Sequence, residues 1–184
     1  SPDDAALRIL GSVLSGGRSS RLQSNLNFGK ELVQQIGAFN GSNEIAGMFQ
    51  ISATARPGKD LAEIEKEINN EIERIKKEPP TAEEINRVVN GMEAQSIFRL
   101  QTVLGKGGQL ASNVGFKGKA DTLQSDLDEV RKVTPADVQR VANKYLNGNR
   151  LVMTYLPSKN PAPRTNPNDN KPTTASGGKK MDPA

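Results

Sequence analysis

Histidine and cysteine are both absent from the 184 residues of this chain. Without Cys there are no disulfides and no thiolate chemistry. Without either residue a zinc site is excluded in practice, because such sites are built almost always with at least one His or Cys ligand. Ser–His and Cys–His nucleophilic catalysis go with them. Aromatic residues make up only 4% of the sequence, with no Trp. No basic stripe is interleaved with stacking rings, which argues against a nucleic-acid surface. No apolar run approaches the roughly 20 residues that a membrane-spanning helix needs.

What is present divides in two. The net charge of +4 comes mostly from the end of the chain, where Lys159, Arg164, Lys171, Lys179 and Lys180 outnumber Asp169 and Asp182. Residues 1–156 are close to neutral and periodic in their apolar positions. Residues 157–184 are Pro, Asn, Thr, Ser, Gly and Lys, with too little apolar surface to offset ordering entropy, so a disordered or loosely attached tail is expected there. The opening SPDDAALRIL runs straight into a helical pattern, without the charged and apolar regions of a secretory leader. So abrupt a start reads as a boundary inside a longer gene product, and the compartment stays open. A Cys-free chain with a polar tail is compatible with the periplasm.

Along residues 1–156 the pattern predicts a helix from about Pro2 to Leu14, with Leu7, Leu10 and Leu14 on one face and Gly16-Gly17 ending it. A short second helix follows to Phe28. QQIGAFNG and EIAGMFQISATARPG read as two strands joined near Asn40–Asn43. Phe49, Ile51, Ala53 and Ala55 alternate with polar residues, the period of a half-buried strand. A helix over about Asp60–Lys77 carries Leu61, Ile64, Ile68, Ile72 and Ile75 as its apolar stripe. Glu63, Glu65, Glu67, Glu71 and Glu73 read as its solvated face, interleaved with Lys66, Arg74 and Lys76. Thr81-x-x-Glu84 is a capping box opening another helix. GKGGQLASNVGFKG lacks the Gly-Lys-Ser/Thr ending of a phosphate loop and reads as a helix start followed by a loop. DTLQSDLDEVRKV is helical, and TPADVQRVANKYL has Thr134 as N-cap and Pro135 at the first helical position. RLVMTYL reads as a last strand. The order predicts an α+β fold, an antiparallel sheet covered on one face by helices. Three strands make a thin sheet, so further strands are expected upstream of Ser1 or from a partner.

Four blocks follow one another in a familiar order: DDAALRILGSVLSGGRSSRLQSNL, FQISATARPG, IEKEINNEIERIKKEPPTAEEINRVVNGMEAQ and VRKVTPADVQRVANKYLNGNRLVMTYLP. Together they resemble the C-terminal, non-zinc half of the pitrilysin/insulinase family of zinc metallopeptidases, relatives of the mitochondrial processing peptidase. The resemblance covers nearly all of residues 3–157. It implies a metallopeptidase-half architecture, of which this chain holds part of the sheet. The zinc, held by His-x-x-Glu-His, belongs to a zinc-bearing N-terminal domain or separate subunit, with a peptide as substrate. The zinc-free half of such enzymes often carries Arg-x6-Tyr after the Gly hinge, reaching toward substrate at the partner's zinc. The corresponding positions here are Asn27 and Gln34, which carry neither the charge nor the phenol. They are the candidate substrate-binding residues, able to make neutral hydrogen bonds only, and their alternative reading is ordinary surface polarity. Arg21 is a nearby donor whose SSRL context reads as helix capping and packing. The function implied is to wall a chamber and help bind extended peptide. A non-enzymatic assembly subunit of the same fold is the alternative, and an unrelated α+β peptide-binding module a further one.

Overall fold

The computed structural model describes residues 2–42 and 45–156. A compact unit runs to Arg150. Its elements are α1 (Asp4–Ser15), a π-helical segment (Gln23–Gly29), β1 (Val33–Gly41), β2 (Met48–Ala55), α2 (Leu61–Lys77), α3 (Ala82–Arg99), α4 (Val103–Lys117), α5 (Leu123–Arg131) and α6 (Pro135–Tyr145). The architecture is α+β, with helices packed on one face of an antiparallel pair. The tail expected over 157–184, and Asn43 in the expected turn, lie outside the described residues.

α1 is the centre of the fold. Leu7, Leu10 and Leu14 are buried as their spacing predicts, but so are Ala6, Ile9 and Val13, leaving little of the helix to solvent. It packs against β1, α3, α5 and α6. Gly11 lies against β1 so closely that a Cβ there would sit 3.0 Å from the Ala38 carbonyl oxygen.

β1 and β2 are paired with one irregularity. Val33 faces Ala55 and Gln35 faces Thr54, so β1 advances two residues where β2 advances one. Gln34 is the extra residue of this bulge. The bulge lets Val33 and Ile36, three apart, share the buried face with Ala38. On β2, Phe49, Ile51 and Ala55 pack against the core, while Ala53, expected on the same face, is exposed. The helices lie over β1 and leave the middle of β2 uncovered.

α2 and α6 are locked end to side. Gln139 Nε2 donates to the carbonyls of Lys76 (2.9 Å) and Lys77 (3.2 Å), serving carbonyls that a helix end leaves unpaired. The expected capping box of Thr81 with Glu84 forms, and the expected N-cap Thr134 proves to be half of a second box, with Asp137.

Four readings are corrected. The second helix is a π-helical segment, its end marked by the Lys30 amide donating five residues back to Asn25 at 2.8 Å. The glycine-rich stretch is the helix α4, started by the Thr102 hydroxyl on the Gly105 amide and stopped by Gly118 at φ 67°. RLVMTYL is not a strand: Leu151–Leu156 takes no regular structure, and the sheet has two strands among the described residues. An alternating segment becomes a strand only where it finds a partner edge. Glu71 is not on a solvated face. It is 5% exposed, because it falls seven residues after Ile64 and four before Ile75, on the stripe itself.

Asp3, just ahead of α1, ties the two ends of the unit together. Its carboxylate, 4% exposed, accepts from Arg140 Nη1 (2.8 Å), Lys144 Nζ (2.8 Å) and the Tyr145 hydroxyl (2.9 Å). These donors, Lys144 foremost, hold the Asp3 carboxyl far below the usual carboxylate range. A depressed folded-state value contributes stability that is whole above the unfolded value near pH 4 and lost as pH falls below it. Urea titrations should therefore show stability falling from about pH 5 downward, and Asp3→Asn should lower stability at pH 7 and flatten that decline.

Candidate functional site

The two positions singled out in the sequence lie at the junction of the π-helical segment with β1. Asn27 is half-buried on the segment, and Gln34 is exposed at the bulge. Between them the backbone turns through Glu31, at φ 51°, a left-handed conformation that a residue with a Cβ adopts at a cost of roughly 1–2 kcal/mol. Asn27 is fully engaged. Its Nδ2 donates to Gln23 Oε1 at 3.1 Å, and its side-chain and backbone oxygens both accept from Arg56 Nη2 at 3.3 Å. No described side chain holds Gln34, and the structure does not bring the two side chains into one hydrogen-bonded pair.

Arg56 is the residue that the sequence reading passed over. It follows β2 and precedes Pro57, a position biased to extended backbone. Its amide donates to the Leu32 carbonyl at 2.9 Å, adding a rung beyond the paired register. Nε donates to the Val33 carbonyl at 3.1 Å, and Nη1 lies 3.9 Å from Glu31 Oε2. A guanidinium therefore stands beside Asn27 after all, delivered from the end of β2. The signal was there: a lone cation closing an otherwise uncharged strand, fixed by the proline behind it.

The sheet edges differ. β1's outer edge is closed. The Ile36 carbonyl accepts from Gln23 Nε2 at 2.9 Å. The Ala38 amide donates to Ser15 Oγ at 2.6 Å, and the same hydroxyl donates to the Ala38 carbonyl at 3.2 Å. Because Ile36 and Ala38 turn their polar groups away from β2, they form non-hydrogen-bonded pairs, and their partners Ala53 and Ile51 turn theirs outward as well. Phe49, opposite Asn40, follows the same alternation. None of the described inter-element backbone bonds uses the amides of Phe49, Ile51 or Ala53. β2 thus presents an unpaired row of donors and acceptors, the template an extended chain needs.

Charged groups flank both ends of the π-helical segment, Arg21 before it and Lys30 after it. Arg21 donates to both oxygens of Glu84, at 2.9 and 3.0 Å, and to the Glu78 carbonyl at 3.3 Å. The Glu84 carboxyl is lowered chiefly by Arg21, and Arg21 is raised chiefly by Glu84. Arg21 does not cap its own segment, whose start carries no side-chain cap; it packs the segment onto α3 through Glu84, which also closes the α3 capping box. Lys30 and Glu67 pair at 2.7 Å, which lowers the Glu67 carboxyl. No three acidic side chains converge as a metal ligand set among the described residues. With His and Cys missing from the whole chain, the donor set does not suit zinc.

Comparison with known proteins gives a consistent result. Residues 1–92, half of the chain, match the family described as the peptidase M16 inactive domain. Zinc protease PqqE of Helicobacter pylori is 27% identical over 157 residues, which is 84% of this chain and 34% of that protein. An uncharacterised zinc protease of Streptomyces coelicolor is 25% identical over 145 residues, 77% of this chain and 30% of that protein. The chain therefore spans about a third of the length of these curated relatives. Among solved structures, an inactive peptidase domain from Bordetella parapertussis superposes with a TM-score of 0.76 at 24% identity, covering 89% of this chain and 87% of that one. A protease from Helicobacter pylori superposes at 0.72 with 27% identity, covering 79% of this chain and 35% of that one.

Proposed function

The chain belongs to the peptidase M16 inactive domain family, and from that premise we propose that residues 1–156 wall the chamber of a zinc peptidase and hold extended peptide for a zinc-bearing half. The observation that carries this reading is the asymmetry of the sheet. β1's edge is sealed by Ser15 and Gln23, while β2 turns the amides and carbonyls of Phe49, Ile51 and Ala53 outward. A peptide added along β2 gains main-chain hydrogen bonds without regard to its sequence, and exposed residues such as Ser52 and Thr54 meet its side chains.

Arg56 fits the same role. It supplies the cation that the family resemblance sets at position 27, aimed from β2 instead of from the helical segment. A guanidinium placed there donates to a substrate carbonyl and steadies charge developing on it. Asn27 then serves as the acceptor that holds Arg56, and Gln34, freed from the ladder by the bulge, reaches substrate through its amide. Replacing Asn27 by Arg would set two guanidinium groups against each other. The zinc, its water and the general base belong to the partner half, where zinc supplies the activated water.

The absence of a charged group at position 27 and of a phenol at 34 favours a second reading, an assembly subunit of the same fold. Peptide hydrolysis by the zinc-bearing assembly, with and without Ala53→Pro in this chain, separates the two. Loss of turnover with zinc retained supports the chamber role. Unchanged turnover refutes peptide binding along β2.

A further inference from the structure

The helix α4 turns its polar side inward and its apolar side outward, the reverse of a helix that covers a core. Among its described residues Asn113 is the one that is buried, at 4% exposed. Asn113 Nδ2 donates to the Ala120 carbonyl at 2.9 Å, and Oδ1 accepts from Gln109 Nε2 at 2.9 Å. Val103, Leu110 and Val114 recur at intervals of seven and four on the outer side, with Leu104 beside them. They are 89%, 50%, 53% and 87% exposed. Nothing described lies over this side: an added Cβ at Gly107, Gly108 or Gly115 would meet no atom within 4 Å. Four of the 15 residues of α4 are glycine, a poor helix former, so the helix gains stability from whatever covers its apolar side.

The same stretch carries one sign of charge. Between Ala94 and Ala120 there is no Asp or Glu, while Arg99, Lys106, Lys117 and Lys119 are all cations. Arg99, Lys106 and Lys119 are exposed, and none of the described ion pairs engages them. Lys106 follows Val103 by three residues and precedes Leu110 by four, which sets it on the border of the apolar side. A second copy of the chain is a poor cover. A symmetric contact would bring these cations together with no carboxylate in the stretch to pair them.

We propose that α4 rests on an anionic lipid surface, with Val103, Leu104, Leu110 and Val114 in the headgroup–acyl boundary and Lys106 on lipid phosphate. An exposed apolar stripe bordered by cations, without acids, is the chemistry of a helix that lies in the plane of a membrane interface. Each cation near an anionic leaflet adds an attraction that salt screens. The contact is peripheral, since no helix among the described residues is long and apolar enough to cross a membrane. It uses neither Arg56 nor the β2 edge, and it stands whether or not this domain walls a peptidase chamber.

The test uses the whole chain with vesicles of phosphatidylcholine, alone or mixed with phosphatidylglycerol. The expected result is co-sedimentation with the mixed vesicles only, falling as salt is raised. The chain has no Trp, so Leu110→Trp and Phe116→Trp each give a single emission reporter. Phe116 is 79% exposed but stands roughly 200° round the helix from Val114. Emission of Leu110→Trp should shift to the blue on the mixed vesicles, and that of Phe116→Trp should not. Lys106→Glu should weaken binding at least about tenfold, since it replaces an attraction by a repulsion at the surface. Val103→Ser with Leu104→Ser should weaken it as well, both positions being exposed and the fold therefore kept. Lys66→Glu, an equal change of charge on the exposed side of α2, should weaken it far less. Equal binding to phosphatidylcholine alone, binding to neither vesicle, an equal shift of both reporters, or undiminished binding by Lys106→Glu would overturn the proposal. Attachment through the cations of residues 157–184 alone would leave Leu110→Trp emission unmoved and overturn it too. Self-association that the double serine variant abolishes, without vesicle binding, would give this side to a second copy instead.

Discussion

Gly11→Leu is expected to destabilise the domain by about 3 kcal/mol or more, the upper end of what overpacking costs. At this chain length that lowers the unfolding midpoint by roughly 6–12 °C. The reason lies in what a side chain at position 11 would meet. Its first carbon alone would sit 3.0 Å from the Ala38 carbonyl oxygen and 3.3 Å from the Phe39 Cα. Both are backbone atoms of β1, held on one side by β2 and on the other by Ser15, so neither can swing away as a side-chain tip would. A leucine there must push α1 off the strand. In doing so it breaks the Ser15–Ala38 bonds and opens the contact around Leu10 and Leu14, both 0% exposed. Gly11→Ala should cost much less, because up to about 1 kcal/mol of gained helix propensity offsets the tight contact. Gly17→Ala, where an added carbon meets nothing within 4 Å, should be nearly neutral. Urea and thermal unfolding of the three variants give the ranking. A Gly11→Leu protein as stable as Gly17→Ala would mean that α1 does not lie against β1.

The second large effect is on function. Ala53→Pro in the zinc-bearing assembly is expected to lower kcat/KM for peptide hydrolysis about tenfold or more, the consequence of losing roughly 1.4 kcal/mol of transition-state binding. Its design rests on the register. The Ala53 amide points away from β1, so proline removes no rung of the existing ladder, and proline is tolerated on an edge in this orientation. Ser52, the residue before it, is already extended, as a residue ahead of proline prefers. The change should therefore leave the domain folded, with its melting temperature within a few degrees of the parent and its zinc content unaltered. What it removes is a donor for an added strand. Ser52→Pro is the control with the opposite geometry: its amide points toward Gly37, and it should unfold the hairpin.

Most of the helical frame was written in local chemistry. Thr134, Pro135 and Asp137 start α6 where their types require, and the isoleucine stripe of α2 faces the core. What the sequence concealed needed tertiary information. Glu71 shares its helical phase with Ile64 and Ile75, a spacing of seven and four, yet its charge outweighed its position in the reading. Glycines hid α4, whose boundaries are set by Thr102 and by Gly118 rather than by periodicity. RLVMTYL has the composition of a strand, but pairing depends on an edge that no local pattern supplies. Arg56 was legible only as a cation before a proline. That it meets Asn27, 29 positions earlier in sequence, follows from the hairpin register. Gln34 became distinct only once the bulge showed which residue of β1 is left out of the ladder.

The claim on which the functional reading rests is that this domain contributes surface and binding geometry while the metal chemistry is performed elsewhere. Elemental analysis of the purified chain, dialysed from zinc-containing buffer and assayed in parallel for peptide hydrolysis, tests it most directly. The expected result is no retained zinc and no cleavage, with cleavage restored on adding a zinc-bearing half. One zinc retained per chain, with hydrolysis by the chain alone, would contradict it.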